Sequence, residues 1–297
     1  MRVPEANLDE VREQGFTVVE GFVDPALLKP AQEALWDLYP RPEAYFADPA
    51  AYPAFERSQF AGIRLFPYDA WALNRLAFQP DLIDAAERFL GTPEIDLYKI
   101  ELWAKYSGAI DYDQTLHRDY GNHTLVTPSY DERRRQMTTF TLLSDVTELD
   151  GPTAIVPLEH TRDIPMTPRH LEPGALANRE VSVTGPAGSL LIYRTDVFHR
   201  GVNFSAPERS RFVLLVDFQP RGSRWNGKMS WPDRAIQPAM TEAMVRMSPR
   251  ERDLFGWPPA GDPYWTEETL RDTAERYPGM DMIPYAEGVI ESVSPHA

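Results

Sequence analysis

The sequence predicts an α+β protein that is mainly β, with helices flanking a core folded as a sandwich or jelly roll. The first observation is the composition of about residues 95–219, where short runs rich in Val, Ile, Leu, Thr and Phe are broken by Asp, Gly, Pro and Asn. The second is that helix caps and helical apolar spacing occur before and after this region. Seven or eight short strands without helices between them favour antiparallel sheets over a parallel sheet.

The N-terminal part, about residues 1–94, is expected to be helical around one strand. Asn7 and Glu10 have the spacing of a capping box, which predicts a short first helix. Asp24, followed by a proline, predicts the N-cap of a second helix. Apolar residues recur at helical spacing over residues 80–91, which indicates a further helix directly before the β core.

The β core, about residues 95–219, and the C-terminal extension, about residues 220–297, complete the chain. The extension is rich in Pro, Trp and Met and carries helix caps at Ser248 and Thr266. It either packs on the core or forms a lid over an active-site mouth. No repeat or low-complexity linker interrupts the sequence, so one domain over residues 1–297 is the economical interpretation. The predicted core strands are 95–106, 115–120, 136–143, 153–157, 181–183, 189–193 and 211–219.

Composition excludes several classes of function. Because the 297 residues include no cysteine, there is no disulfide, no zinc-thiolate site and no thiol nucleophile, and any metal must be held by His and carboxylate. The 45 acidic and 30 basic residues give a net charge of -15, which repels nucleic acids and anionic lipid surfaces. The sequence has no membrane-length apolar run and no signal-peptide pattern. We therefore expect a cytoplasmic monomer or homodimer whose partner is a small-molecule substrate.

Three residues form a candidate metal site. His117 and Asp119 are two positions apart on a predicted strand, so their side chains project to one face about 7 Å apart along the backbone. His199, just beyond another predicted strand, adds a second imidazole. Two histidines and one carboxylate leave positions open on non-heme Fe(II) for a cosubstrate and O2, which predicts an oxygenase. His123 and His170 lie in polar contexts and are expected to be incidental.

Arg211 is a candidate anion-binding residue. Alternation along the last core strand places it on the face shared by Val213 and Leu215, and the other face is also apolar. A guanidinium in a buried strand needs an anionic partner, and a carboxylate bound through two hydrogen bonds fits best. Two alternatives stay open. Arg211 can lie at the rim and meet solvent or Glu208, or Arg209 in the preceding loop can be the anchor.

A third group of residues has weaker signals. From Lys99 to Lys105 the odd positions share one face and the even positions are apolar, so the odd face is either a polar cavity or ordinary solvent surface. If it lines a cavity, Lys99 and Glu101 would help to hold cosubstrate or substrate, and Trp103 would contact the substrate. Phe140 either packs against the cosubstrate or belongs to the core.

Several segments, taken in order, resemble the phytanoyl-CoA dioxygenase family. The resemblance covers roughly residues 8–220 and implies a double-stranded β-helix, with Fe(II)- and 2-oxoglutarate-dependent hydroxylation that consumes O2 and releases succinate and CO2. It also implies that His117, Asp119 and His199 hold iron and that Arg211 grips the distal carboxylate of 2-oxoglutarate. The matching segments are residues 13–24, the His117 and Asp119 pair, residues 145–160 and residues 199–211.

Two other functions stay open on the sequence. One is a non-catalytic jelly-roll protein that binds or senses a ligand with a vestigial metal site. The other is a cupin-like metal enzyme that does not use 2-oxoglutarate. The substrate itself is not encoded in any motif, because the pocket walls come from loops of varied length.

Overall fold

Two antiparallel β-sheets form the centre of the first of two compact units, Met1–Lys228 and Met229–Ala297. The computed structural model describes residues 1–110, 113–120, 123–127, 131, 135–167 and 169–292. The single domain over residues 1–297 stays a prediction. None of the described helices is long and apolar enough to cross a membrane.

The described strands are β1 (Phe16–Val19), β2 (Ile63–Leu65), β3 (Ile95–Tyr106), β4 (Met137–Leu142), β5 (Thr153–Ile155), β6 (Val181–Val183), β7 (Leu190–Arg194), β8 (His199–Gly201) and β9 (Ser210–Pro220). The larger sheet has six strands in the order β1-β7-β4-β9-β3-β2, and the smaller has three in the order β6-β5-β8. All neighbouring strands pair antiparallel, which is the arrangement of a jelly roll. The predicted fold class is thus confirmed.

The longest strands, β3 and β9, lie side by side in the larger sheet. Their register runs from Ile95 opposite Pro220 to Tyr106 opposite Ser210, with one irregularity after Leu97. Nearly every residue of both strands is buried, because one face packs into the core and the other faces the interior of the roll. This pair provides a long, regular wall for whatever the roll encloses.

The described helices lie before and after the β core. In the first unit they are α1 (Glu5–Gln14), α2 (Pro25–Ala34), α3 (Pro42–Ala47), α4 (Pro53–Arg57), α5 (Trp71–Leu76) and α6 (Pro80–Leu90). In the second they are α7 (Pro238–Arg246), α8 (Pro249–Asp253), α9 (Glu267–Arg276) and α10 (Ile283–Ser292).

Local cap chemistry explains most of the helix starts. Asp24 accepts a hydrogen bond from the Ala26 amide, and Ser248 and Thr266 cap their helices as predicted. The first helix differs from the expectation, because it begins after Pro4 rather than at Asn7. The Asn7 side chain instead donates to the Thr17 hydroxyl of β1, so its polar group ties the helix to the strand.

The predicted strand 115–120 is wrong as a regular element. In this segment only His117 makes β-bridges, one to His199 and one to His170, and Asp119 lies in the turn that follows. Leu116 and Arg118 face away from the site, where the Arg118 guanidinium binds backbone carbonyls and lies 4.0 Å from the centre of the Phe198 ring. The side chains of residues 117–119 therefore still alternate between two faces, although no continuous row of strand hydrogen bonds runs along this segment.

Candidate metal centre

A reciprocal backbone bridge brings His117 and His199 together. Each amide donates to the other residue's carbonyl at 2.9 Å, and the two ring centres are 4.5 Å apart. Nδ1 of His117 lies 2.8 Å from the Thr115 carbonyl, and Nδ1 of His199 lies 3.2 Å from the Val197 carbonyl. Because those carbonyls accept a proton at Nδ1, they favour the tautomer in which Nε2 of each ring is free to bind a metal.

Asp119 completes the group. One carboxylate oxygen lies 3.6 Å from Nε2 of His117 and the other lies 3.3 Å from Nε2 of His199. One ligand atom from each residue lies within 4.8 Å of the other two, so a single ion can contact all three. Two imidazoles and a carboxylate, with no thiolate, are the donor set that suits Fe(II) with open positions.

Tyr193 on β7 orients the Asp119 carboxylate through a hydrogen bond. Its hydroxyl donates to Asp119 at 3.0 Å, and its ring packs against the rings of His199 and Phe140 at 5.0 and 5.4 Å. Burial, reinforced by the negative charge of Asp119, holds the pKa of Tyr193 well above its usual value. The hydroxyl therefore stays protonated and orients Asp119 as a donor.

The electrostatics of the group favour metal binding at neutral pH. Burial, with a smaller contribution from the charge of His199, lowers the pKa of His117 to about 4, so its ring is neutral. Burial would raise the pKa of Asp119, but the charges of His199 and Lys99 outweigh it and hold that pKa well below the usual range. A neutral imidazole and an ionised carboxylate are the forms that coordinate metals.

One cavity of about 330 Å³ contains the ligand group. The odd face of β3 lines it, so that face is a cavity wall rather than solvent surface. All seven residues that the sequence predicts as site residues line this cavity, namely His117, Asp119, His199, Arg211, Phe140, Lys99 and Trp103.

The two candidate arginines, Arg211 and Arg209, differ in burial and in whether they reach the cavity. Arg211 is 8% exposed and lines the cavity, and its guanidinium donates to the Gly151 carbonyl. The Arg209 side chain is 41% exposed and lies 3.6 Å from Asp150. The guanidinium in the cavity is thus that of Arg211, which is buried rather than at the solvent rim.

Lys99 has a partner that the sequence analysis missed. Its ammonium lies 2.8 Å from the carboxylate of Asp217, directly opposite on β9, and both side chains are buried. Burial would lower the pKa of Lys99, but the charges of Asp217, Asp119 and Glu101 together outweigh it and raise the pKa, so Lys99 stays charged. Asp217 has the same strand phase as Arg211, and this was the signal that could have revealed it.

His123 is not incidental. It is buried, lines the cavity and packs at 5.8 Å against the ring of Tyr98. Burial and the charge of Lys99 lower its pKa to about 3, so its ring is neutral. No local pattern reveals this position, because the residues around His123 are polar. His170 is exposed and lies outside the ligand group, although its ring centre is 6.0 Å from that of His117.

A jelly roll that brings two histidines and a carboxylate together in a cavity defines the class of non-heme iron enzymes that leave metal positions open for a cosubstrate. Comparison with known families makes this specific. The family model described as phytanoyl-CoA dioxygenase matches residues 11–211, and the chain belongs to this family. Its cofactor is accordingly Fe(II), and 2-oxoglutarate and O2 are its cosubstrates. None of the curated proteins matches the sequence.

Solved structures show the same fold at low sequence identity. AviO1 from Streptomyces viridochromogenes Tue57 is 17% identical, with a TM-score of 0.52 over 75% of this chain and 97% of that one. The non-heme alpha ketoglutarate dependent epimerase SnoN from nogalamycin biosynthesis is 18% identical, with a TM-score of 0.51 over 73% and 80%. EctD from S. alaskensis, with 2-oxoglutarate and 5-hydroxyectoine, is 18% identical, with a TM-score of 0.55 over 74% and 77%.

Proposed function

We propose that the protein is an Fe(II)- and 2-oxoglutarate-dependent dioxygenase that hydroxylates a small organic molecule and releases succinate and CO2. The observation that carries the proposal is one cavity with two features. It holds a two-histidine, one-carboxylate group and, on its wall, a buried arginine. The first feature suits iron, and the second suits a dicarboxylate whose far end must be held away from the metal.

In this proposal His117 and His199 bind iron through Nε2, and Asp119 binds it through its carboxylate. Tyr193 fixes the direction of that carboxylate through its hydrogen bond at 3.0 Å. When bound, the iron with 2-oxoglutarate and O2 supplies the oxidising chemistry that acts on a substrate C–H bond. The chain itself holds the ligands in place and keeps the ring of His117 neutral by burying it.

Arg211 binds the distal carboxylate of 2-oxoglutarate. Lys105, its register partner on β3, lines the same part of the cavity and adds a second positive charge there. Phe140 and Leu215 lie further along the wall and provide apolar contacts for the methylene groups of the cosubstrate. Lys99, held by Asp217, contributes a fixed positive charge near the metal-binding carboxylate and so attracts the proximal carboxylate of the cosubstrate.

The cavity volume of about 330 Å³ suits a small molecule beside 2-oxoglutarate. Family membership disfavours both a vestigial binding module and a metal enzyme without 2-oxoglutarate. Enzymes of this type catalyse more than one reaction, since a related fold serves an epimerase. Among these reactions, hydroxylation is the one that we propose.

Anaerobic titration tests the cofactor assignment. Addition of Fe(II) and then 2-oxoglutarate should produce a visible metal-to-ligand charge-transfer band, whereas succinate in place of 2-oxoglutarate should not. A folded, iron-loaded protein without this band contradicts the proposal.

A screen for substrate-stimulated succinate release tests the reaction. A product that gains one oxygen atom from ¹⁸O₂ supports hydroxylation. A product of unchanged mass contradicts hydroxylation but not the enzyme type.

A further inference from the structure

Glu101 is a buried carboxylate in the middle of the cavity wall. It lies on β3, opposite Leu215 of β9 on one side and Leu65 of β2 on the other. The residue is 5% exposed, and its side chain lines the cavity that contains the metal ligands. Neither the metal site nor the contacts expected for 2-oxoglutarate use this group.

Within the described part of the chain, Glu101 makes no direct ion pair, although its charge acts on Lys99 along the same face of β3. The polar contact of its carboxylate is with Nε1 of Trp103, which donates at 3.0 Å, and no lysine, arginine or histidine described there lies within 4.0 Å of it. The nearest cation on its own face, Lys99, is already paired with Asp217 at 2.8 Å. A buried carboxylate without a cation in direct contact is costly, so Glu101 is suited to bind a cation that arrives with a ligand.

One aromatic ring contacts this carboxylate, and a second, half-exposed ring packs against the first. Trp103 and Phe60 both line the cavity, and their rings meet edge to face with centres 5.7 Å apart. Ring faces attract cations, and a carboxylate accepts the hydrogen bonds of an ammonium group. Glu101, Trp103 and Phe60 therefore combine the two interactions that recognise a protonated amine.

The other charges of the cavity lie in different places. Arg211 and Lys105 are opposite each other at the far end of the wall, four residues along β3 from Glu101. Arg169 and Lys228 lie on the histidine side, where their positive charges act on the imidazole rings. The carboxylates of 2-oxoglutarate are repelled by Glu101 and attracted to these cations, which leaves the surroundings of Glu101 for the substrate.

We propose that the substrate is a small molecule with a protonated amine, and that Glu101 binds this amine beside the rings of Trp103 and Phe60. The proposal rests on the proposed function, because it names the substrate class of the same site.

The test compares two probes of similar size, n-butylammonium and 1-butanol. Both are titrated by ligand-observed NMR into anaerobic protein loaded with Fe(II) and 2-oxoglutarate. Wild-type protein should bind the ammonium at least about tenfold more tightly than the alcohol, as a charge-assisted hydrogen bond implies. Glu101→Gln should remove this preference. Glu94→Gln, which changes an exposed carboxylate just before β3, should keep it.

Equal binding of the two probes by wild-type protein overturns the inference, as does a full preference in Glu101→Gln protein with an unchanged melting temperature. The wild-type comparison needs no variant, so a folding defect does not obscure the result. The charge-transfer band, recorded on the same samples, separates the two proposals. A band without amine preference contradicts only the substrate class, and amine preference without a band contradicts only the cofactor assignment.

Discussion

The metal ligands and the wall of the cavity are held in place in different ways. The ligands lie on short pieces of chain, with His117 in an isolated bridge, Asp119 in a turn and His199 at the start of a three-residue strand. The wall is formed by two long strands whose pairing continues over their full length. The alternation of the strands therefore orients the wall. The positions of the metal ligands depend instead on a few bonds between distant segments, among them the reciprocal pair of His117 and His199 and the hydrogen bond from Tyr193 to Asp119.

The largest expected effect is at the metal group. His117→Ala should lower iron affinity by more than about 100-fold, because loss of a ligand exceeds the cost of losing a residue that merely orients one. Iron content and the charge-transfer band measure this. His170→Ala is the matched control, since its exposed ring is nearby but outside the ligand group. An iron-replete His117→Ala protein with full succinate production would refute the ligand assignment.

A change in the wall should show first in the stability of the protein. Lys99→Met leaves Asp217 buried without its partner and should lower the free energy of unfolding by about 3–5 kcal/mol. The double variant Lys99→Met/Asp217→Leu should recover most of this loss, because it removes both charges. Chemical denaturation of the three proteins measures the difference. If the double variant is as unstable as the single one, the pair does not explain the stability of the wall.

A third prediction separates the two arginines. Arg211→Met should weaken 2-oxoglutarate binding about 10- to 100-fold, because hydrogen bonds between charged groups contribute about 1.5–3 kcal/mol. Arg209→Met should change it by less than about twofold, since Arg209 is exposed and its ion pair is weak. Titration of the charge-transfer band with 2-oxoglutarate gives both constants. The assignment of the anchor is wrong if the two variants exchange these outcomes.

The smallest effect links the two regions. Tyr193→Phe removes one hydrogen bond to Asp119 but keeps the ring that packs on His199. We expect iron affinity to fall by about tenfold, the lower end for residues that orient a metal ligand. The charge-transfer band should also shift, which a purely structural role of the hydroxyl would not cause. An unchanged band and affinity would show that the bridge alone positions the carboxylate.

The same contrast explains how far sequence reasoning reached. The phase of β9 placed Arg211 on the inner face, and the structure finds it in the cavity. The phase of β3 left two alternatives for Lys99 and Trp103, because a polar alternating face is compatible with both solvent and an enclosed polar space. Only the closure of the two sheets decides between them, and closure is a tertiary property.

The failures have physical causes as well. Asp119 was expected within a strand, but a turn begins there, and two residues of alternation were enough to keep its side chain beside that of His117. His123 was misjudged because its burial comes from distant segments, including the ring of Tyr98 and the backbone of Gly227. Asn7 looked like a helix cap, but a contact with Thr17 replaced the local bond.

Because His117 and His199 lie in a bridge between two segments, a metal bound to both stabilises the fold in addition to taking part in the reaction. The bridge lies between two segments that are far apart in the sequence, which are also joined by the Gln114 amide donating to the Gly201 carbonyl. An ion bound by both imidazoles adds its own binding free energy to this closure of the roll. The melting temperature should then rise with the concentration of free ferrous ion, and a chelator should reverse the gain. The supply of iron would thereby affect the stability of the folded enzyme in addition to its reaction rate.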